Sequence, residues 1–165
     1  LDAESIRDTI LYVGDNLLAS EGGPSIKPGT KTEYGYAFKS STRSIYNPVF
    51  RNTLPEIMQV FDFADPNMVT GKRTNSSVPT QALYMLNSSF IRENSINAAK
   101  KFTQEINTDN SSKIENAYKK VLGRIPSPKE IQIIQDYLTS QKDKLNAWSN
   151  IFQSLFSSID FRFVN

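Results

Sequence analysis

The chain has 165 residues, of which 38% are hydrophobic and 22% charged, and its 19 basic and 17 acidic side chains give a formal charge of +2. This length is enough for one domain with its own core and short for two. The basic residues are scattered, whereas nucleic-acid-binding domains usually carry a basic stripe. No apolar run approaches the ~20 residues of a membrane helix. We therefore expect one globular domain that binds no nucleic acid and is not inserted into a membrane.

The composition includes neither cysteine nor histidine. Without Cys there is no disulfide, thiolate nucleophile, covalent haem attachment or Cys-based zinc site. Without His the chain lacks the usual general base and the commonest transition-metal ligand. Catalysis would have to use carboxylates, Lys, Tyr or Ser. We therefore predict a non-catalytic chain that holds no metal and no cofactor.

The first predicted helix covers residues 3–18, where apolar side chains recur at helical spacing. They are Ala3, Ile6, Ile10, Val13 and Leu17. Asp2 precedes them as a suitable N-cap. Gly14 costs a helix about 1 kcal/mol relative to Ala, which indicates close packing against another helix rather than a ligand.

Residues 33–39 follow a turn-rich stretch and carry an aromatic side chain at every second position from Tyr34 through Tyr36 to Phe38. This period of two predicts a short strand. Residues 43–51 supply a partner strand, which Pro48 restricts to an edge or a bulge. The sequence therefore predicts a two-stranded β ribbon. Because an isolated ribbon is marginal in water, its aromatic side chains should pack against helices.

The central segment, residues 54–90, is predicted to contain a short helix, a polar loop over residues 62–77 and a second helix that begins at residues 78–81. Loops of this length between helices are usually functional or disordered. We predict an ordered loop, because it carries apolar anchors of its own. These anchors are Phe61, Phe63, Met68 and Val69.

The helix after this loop has Pro79 in its first turn, where the missing N–H costs nothing. Ser77 is its predicted N-cap. Its predicted inward stripe consists of Ala82, Leu83, Leu86 and Phe90. The triplet at 87–89 predicts a kink or restart and then a helix to about residue 106, with one continuous helix as the alternative.

The last third of the chain carries the clearest helix boundaries. Ser112 and Glu115 form a predicted capping box, and Gly123 is a natural helix end. Ser127 and Glu130, with Pro between them at the first helical position, mark the next start. The final helix has the most apolar face, and an extended end is predicted after it at residues 160–165. The residues of that face are Leu145, Trp148, Ile151, Phe152, Leu155, Phe156 and Ile159.

These elements predict a mainly α fold: a single helical domain with a small two-stranded β ribbon and a C-terminal three-helix unit. We expect residues 1–165 to form one domain, a fragment of a longer protein. Within it, residues 1–52 form the helix and ribbon, residues 53–107 the central loop and helices, and residues 108–165 the three-helix unit.

Several short runs extend over nearly the whole chain: LDAESIRD (1–8), GGPS (22–25), RSIY (43–46), FDFADPN (61–67), RT (73–74), VPTQAL (78–83), LN (86–87) and LGR (122–124). Together they resemble the C-terminal region of a planctomycete surface protein family. That family tends to have Pro near position 89, where this chain has Ser. The resemblance implies a large extracytoplasmic bacterial protein, at the periplasm or cell surface, whose C-terminal domain has no agreed function.

The same resemblance implies that the longer protein often carries a cytochrome c domain near its N-terminus. Haem c would then belong to an upstream part and not to these residues. We expect this domain to pack on, or complete, an upstream domain of the same polypeptide. Polysaccharide is a second expected partner, which makes a carbohydrate-binding module the alternative function.

The sharpest polar cluster is Asp62, Asp65 and Asn67, followed by Arg73. Oxygen-bearing side chains at this density could bind a hard cation such as Ca²⁺, although their spacing does not match an EF-hand. They could also recognise a polar ligand. The structural alternative is that the two aspartates cap turns and Arg73 pairs with one of them. Three further candidates lie in or near this segment: Thr74, Gln81 and Asn87.

Aromatic side chains offer a second candidate site, because an aromatic ring with a polar tip suits a wet recognition surface. Tyr36 and Tyr46, with Tyr34 and Phe38, could form a platform for sugar rings. The structural alternative is a core face. A carboxylate-based hydrolase is a third hypothesis, for which no spacing favours one pair among Glu33, Glu56, Asp62 and Asp65.

Overall fold

The computed structural model describes residues 1–19, 22–26, 28–73, 76–105 and 109–163, and the fold is mainly helical, as predicted. The helices are α1 (Ala3–Val13), α2 (Glu56–Val60), α3 (Pro79–Asn87), α4 (Ser89–Glu105), α5 (Asn110–Leu122), α6 (Pro128–Ser140), α7 (Lys144–Ser157) and α8 (Ile159–Arg162), with a 3₁₀ turn at Ser44–Tyr46. Among these described residues, no helix is both long and apolar enough to cross a membrane.

The core is centred on the contact between α4 and α7, the most extensive helix pair. Phe102 of α4 packs against Trp148 and Phe152 of α7, with ring centroids 4.9 and 5.4 Å apart. All three rings are buried. Burial of a side chain of this size contributes roughly 1.5–3 kcal/mol, so this aromatic cluster holds the N-terminal and C-terminal parts of the chain together.

The predicted C-terminal three-helix unit is present: α5, α6 and α7 contact one another. Most of the predicted α7 face is buried, but Leu145 and Ile159 are exposed. Ile159 begins α8, a short helix capped by Ser158, where an extended end was expected. Phe161 of α8 packs edge-on against Phe156 at 5.3 Å, so the core extends into this last helix.

Local signals placed two of the helix ends correctly. Ser127 and Glu130 form both bonds of a capping box at the start of α6, and Gly123 ends α5 with φ of 67°. The box predicted at Ser112 is wrong. Asp109 caps α5 instead, accepting from the backbone N–H and the hydroxyl of Ser112. An aspartate three residues ahead of the serine therefore moves the start of the helix upstream.

Helix α1 ends at Val13, not at residue 18. Asp15 adopts a left-handed φ of 58°, which Asp tolerates better than most residues. Its N–H donates to the carbonyl of Tyr12, and the N–H of Asn16 donates to that of Leu11. These two bonds form a Schellman motif, which closes the helix although Leu17 continues the apolar spacing.

The two-stranded ribbon is not confirmed, because the described residues contain no strand. Their one isolated bridge joins Leu18 to Thr42. Local turns occupy the predicted first strand: Gly35 has φ of 74°, and the N–H groups of Tyr36 and Lys39 donate to carbonyls three and two residues back. The predicted second strand contains the 3₁₀ turn. The aromatic side chains contact one another all the same.

Helix α3 is rotated relative to the prediction. It buries Gln81 and Met85, while Leu83 and Leu86 are exposed. Its N-cap is Val78, without a side-chain bond, and not Ser77. Gln81 faces inward because its amide bonds to buried partners, so polar contacts set the helix phase. The predicted break is confirmed, since α3 ends at Asn87 and α4 restarts at Ser89.

The central loop keeps only half of its predicted anchors. Phe61 is buried and Phe63 packs against the core, but Met68 and Val69 are exposed. The polar bonds described below hold much of the remaining loop.

A charged network joins α5, α6 and α8. The guanidinium of Arg124 donates to Glu130 at 2.7 and 3.0 Å and to Asp160 at 2.6 and 2.8 Å. These bonds from Arg124 lower the pKa of Glu130 from 4.5 to about 2, and the backbone N–H of Ser127 assists.

Gly14 packs tightly on α4, as predicted. A Cβ at this position would lie 2.6 Å from Oδ1 of Asn94, the atom that accepts the amide of Asn16 at 2.8 Å. We expect Gly14→Ala to lower the free energy of unfolding by about 1–3 kcal/mol, the usual cost of overpacking. Urea denaturation measures it. The control is Gly71→Ala, where a Cβ meets nothing within 4 Å and the change should stay within about 0.5 kcal/mol.

The lowered pKa of Glu130 predicts a pH dependence of stability. A carboxylate whose pKa falls on folding stabilises the native state above its unfolded pKa of about 4.5, and that stabilisation is lost as the pH falls towards 2. We expect Glu130→Gln to destabilise the protein at pH 6 and much less at pH 2.5, by urea denaturation. Gln still suits a capping box, so the charge is isolated. Glu115→Gln, which affects an exposed i,i+4 pair, is the control; an equal effect at both pH values would contradict the assignment.

Candidate functional site

An irregular segment between α1 and α2, residues 36–46, lies against α1. Two adjacent charged residues of α1 hold it there. Arg7 is 5% exposed. Its guanidinium donates to the carbonyls of Ser40 and Thr42, to the hydroxyl of Ser44 and to Asp8. Asp8 in turn accepts from the backbone N–H of Ser44 at 2.8 and 3.0 Å and from its hydroxyl at 2.6 Å. We call this cluster the Arg7–Asp8 tether.

Burial lowers the pKa of Arg7, and the neighbouring Asp8 opposes that shift. A buried charge is tolerated only where it is paired and its hydrogen bonds are satisfied. The tether meets both conditions by using backbone carbonyls of the irregular segment as acceptors. The segment is therefore fixed by α1 although it has no ladder of its own.

The segment lines a groove that encloses about 790 Å³. The N-terminal half of α4 lines it as well, together with residues of α1, α2 and α3. We call it the α1–α4 groove. Its lining comprises Arg7, Leu11, Asn16, Tyr36, Phe38, Lys39, Ser40, Ser41, Thr53, Leu54, Pro55, Glu56, Ile57, Tyr84, Ser89, Phe90, Glu93, Asn94 and Asn97.

The first wall of the groove is aromatic. Tyr36 and Phe38 line it, and both pack against Phe50, which stands behind them. Ring centroids are 5.0 Å apart for Tyr36 and Phe38, 5.1 Å for Tyr36 and Phe50, and 5.9 Å for Phe38 and Phe50. Such edge contacts hold aromatic rings in fixed orientations. Tyr36 and Phe38 remain half-exposed, so parts of their surfaces are available to a ligand.

The second wall is polar. Asn94 is buried and fully engaged, since it accepts from Asn16 at 2.8 Å and donates to the carbonyl of Phe90 at 2.8 Å. One turn further along α4, Asn97 is half-exposed. Neither Asn97 nor the exposed Glu93 has a side-chain hydrogen bond within the described part of the chain. These two side chains are free to bond a ligand.

Tyr84 lies at the base of the groove, where its hydroxyl meets Ser88. Burial raises the pKa of Tyr84, and the nearby carboxylate of Glu56 raises it further. Tyr84 therefore stays a neutral hydroxyl at physiological pH and can donate or accept one hydrogen bond.

The predicted aromatic residues are brought together in part. Tyr36 lies in the α1–α4 groove, and Tyr36 and Tyr46 both line a separate pocket of about 220 Å³ next to Gly22–Pro24. Tyr34 is exposed and lines neither of these two cavities. Tyr34 and Tyr36 also line a further pocket of about 250 Å³, so the predicted platform is split over three surfaces that share Tyr36.

Asp62 and Gln81 belong to one polar chain at the base of the central loop. Asp62 has φ of 55° and accepts from the N–H and hydroxyl of Ser76, both at 2.7 Å. The Gln81 amide donates to the Val60 carbonyl at 3.2 Å and accepts from Arg162 at 3.0 Å. This chain closes the loop and ties it to α8.

Asp65 and Asn67 form a turn: the Asp65 carboxylate accepts from the Asn67 N–H at 2.8 Å, and the Asn67 amide donates to the carbonyl of Arg51 at 3.0 Å. Both aspartates therefore bond backbone N–H groups, as the structural alternative predicted. Arg73 pairs with neither of them. It bonds Glu4 of α1 at 2.7 and 2.8 Å and stacks on Phe63 at 5.1 Å.

The remaining predicted residues do not join a site. Asn87, the last residue of α3, donates to the carbonyl of Leu83 at 2.9 Å. Thr74 lies outside the described residues. Within those residues, no group of three or more His, Cys, Asp or Glu side chains is arranged to hold a metal ion.

Sequence reasoning missed the polar wall and base of the groove. Its residues are Asn16, Tyr84, Glu93, Asn94 and Asn97, whereas Glu56 was among the carboxylates that the sequence analysis named. The one available signal was the i,i+3 and i,i+4 spacing of Glu93, Asn94 and Asn97 on a predicted helix, which places polar side chains close together on one side. Nothing in the sequence pairs that side with Tyr36.

Comparison with known proteins gives a family and no reaction. The sequence profile of PSD1, described as a protein of unknown function (DUF1553), matches residues 1–138. This range includes every residue that lines the α1–α4 groove. No curated protein and no solved structure matches the chain.

The Arg7–Asp8 tether predicts that losing the carboxylate of Asp8 loosens the segment that the tether holds. Asp8→Asn keeps the size of the side chain but leaves the buried Arg7 without its counter-ion, which costs roughly 3 kcal/mol or more. We expect lower thermal stability and faster hydrogen exchange at the amide of Ser44 and its neighbours. The control is Asp136→Asn, since Asp136 is exposed and, among the described residues, accepts a hydrogen bond from Gln132 alone. Unchanged exchange at Ser44 would show that the segment is held by other contacts.

Proposed function

Since the chain belongs to the PSD1 family of proteins of unknown function (DUF1553), we propose its function from geometry: it is a non-catalytic binding domain for a neutral carbohydrate chain. One observation carries this proposal. The α1–α4 groove brings half-exposed aromatic rings into one lining with the side chains of Glu93 and Asn97, which have no hydrogen-bond partner within the described residues. Aromatic faces suit the C–H surfaces of sugar rings, and amides and carboxylates suit their hydroxyls.

The size and shape of the groove agree with such a ligand. Its volume of about 790 Å³ lies within the range of roughly 300–1,000 Å³ that is usual for ligand sites. The groove is open rather than enclosed, so a chain could lie along it without threading through the protein.

Charge favours a neutral ligand over a polyanion. The charged residues that line the groove are Arg7, Lys39, Glu56 and Glu93. The charge of Arg7 is balanced by Asp8 in the tether. The other charged side chains of the lining are then one lysine and two glutamates. A sulfated or uronic acid polymer would meet a slightly negative surface, so it should bind more weakly than a neutral one.

The non-catalytic assignment rests on where the carboxylates lie. Glu56 and Glu93 are exposed at the rim, whereas catalytic acid–base pairs use contrasting, often buried environments. The Asp62 and Asp65 carboxylates accept backbone N–H bonds instead of converging on a cavity.

The proposal extends to the setting of the domain. The motifs that resemble the planctomycete surface family support an extracytoplasmic location, a larger bacterial protein with haem c in another part, and packing on an upstream domain. The exposed apolar side chains of Leu83 and Leu86 on α3 favour a packing role alongside ligand binding, because burial would remove them from water. The full reading frame of the gene tests this setting, and an upstream haem-attachment motif is the expected finding.

Calorimetric titration with cellohexaose, xylohexaose and mannohexaose tests the groove. We expect saturable binding to at least one of them, weakened tenfold or more by Tyr36→Ala, which corresponds to about 1.4 kcal/mol. Asn97→Ala should weaken binding as well. Tyr34→Ala is the matched control, because Tyr34 is 69% exposed and lies outside the groove. Silence towards all three neutral hexasaccharides, or equal affinity in Tyr36→Ala, would refute the proposed ligand.

A further inference from the structure

A second cavity lies between α5, α6 and α7 and encloses about 530 Å³. Most of its lining is apolar. The apolar residues are Tyr118 and Leu122 of α5, Ile133, Ile134 and Tyr137 of α6, and Ile151 and Leu155 of α7. We call this cavity the α5–α7 cleft. None of its residues lines the α1–α4 groove.

The apolar surface is larger than the cleft. Ile133 is 57% exposed at its edge. Ile125 follows Arg124 in the sequence, and Ile159 precedes Asp160, the residue to which Arg124 bonds. The two isoleucines are 63% and 65% exposed. Ile125 and Ile159 adjoin lining residues in the sequence, and Ile133 is itself part of the lining. An apolar cleft with exposed apolar side chains is typical of an interaction site, whereas single exposed hydrophobic residues are not.

The walls of the cleft favour a helix as its occupant. On α6, Ile133 and Tyr137 are spaced i,i+4, and on α7 the same spacing relates Ile151 to Leu155. Side chains at i,i+4 form the ridges that pack into the grooves of a neighbouring helix. A docked helix can therefore lay its apolar side chains along the α6 row, whereas Ile151 and Leu155, 6% and 5% exposed, are already covered.

The charge at the end of the cleft decides what that helix should carry. Arg124 is the one cation among the described residues that line it, and its guanidinium donates to Glu130, to Asp160 and to the carbonyl of Ile125. One positive and two negative charges leave this end with a net charge of −1. The Oδ1 atom of Asp160 accepts no hydrogen bond from the described residues, and the side chain is half-exposed. It can accept from an incoming lysine or arginine.

We propose that the α5–α7 cleft docks an amphipathic helix from outside this chain, which buries a row of large apolar side chains against Ile133 and sets a basic residue against Asp160. The apolar contacts supply the affinity. The acidic end fixes the direction in which the helix lies, since exposed charges contribute more to specificity than to affinity. This surface serves the packing role and is independent of carbohydrate binding in the groove.

The experiment uses the complete 165-residue chain and fluorescein-labelled 14-residue peptides designed to be helical. The peptides carry Leu rows at i,i+3 or i,i+4 spacing and Lys at one end; matched peptides have Glu in place of Lys, and scrambled peptides serve as blanks. Fluorescence anisotropy measures the dissociation constant. We expect saturable binding of a Lys peptide, at least threefold tighter than that of its Glu counterpart.

Three variants locate the binding. Ile133→Glu should weaken it tenfold or more, and its exposed position should leave the fold intact, as far-UV circular dichroism would verify. Ile45→Glu is the matched control, because Ile45 is also an exposed isoleucine, at 76%, but lies in the 3₁₀ turn, outside the cleft, and it should bind normally. Asp160→Asn should remove the preference for Lys over Glu.

The outcomes are distinguishable. Failure of every Leu peptide to bind, or equal binding by Ile133→Glu, overturns the proposal. Self-association in sedimentation velocity that Ile133→Glu abolishes would also overturn it, since the occupant would be a second copy. Tyr36→Ala should bind peptides normally, so a negative result in the carbohydrate titration leaves this test unaffected.

Discussion

The Arg7–Asp8 tether is the interaction on which the arrangement of the molecule depends. Between α1 and α2 the described chain has only one short 3₁₀ turn, so no ladder or helix can fix its path. The buried guanidinium of Arg7 instead donates hydrogen bonds to backbone carbonyls and a hydroxyl of that segment. The adjacent carboxylate of Asp8 accepts from the backbone N–H and the hydroxyl of Ser44. Because a buried charge without these partners would be costly, the segment and the helix hold each other in place.

The same principle orders the central loop. Asp62, Gln81 and Arg162 form a chain of hydrogen bonds through Ser76, while Arg73 is clamped to Glu4. Short motifs that are far apart in the sequence therefore meet in pairs: Arg7 and Asp8 with residues 40–44, and Glu4 with Arg73. Polar contacts fix the irregular half of the protein, whereas aromatic packing between α4 and α7 fixes the helical half.

Because polar contacts stabilise one half of the protein and aromatic packing the other, its two cavities differ in character. The α1–α4 groove lies where the irregular segment meets α4, so its walls combine aromatic rings with polar side chains. The α5–α7 cleft lies within a helical unit, and its lining combines buried apolar residues with Ile133, which helix packing left exposed. One surface is suited to a hydrated ligand and the other to a protein helix, which is consistent with a domain that binds a ligand while it is held by a partner.

The sequence by itself determined the features that depend on neighbouring residues. Asp2, Ser127 and Glu130 mark helix starts, Gly123 marks an end, and α7 carries the most apolar face, because caps and helical periodicity act within a few residues. Tertiary contacts, in contrast, turn Gln81 of α3 inward and bring Tyr36 and Asn97 into the lining of one groove. Those outcomes join residues up to about eighty positions apart, and their free energies come from burial and long-range hydrogen bonds that no local pattern encodes.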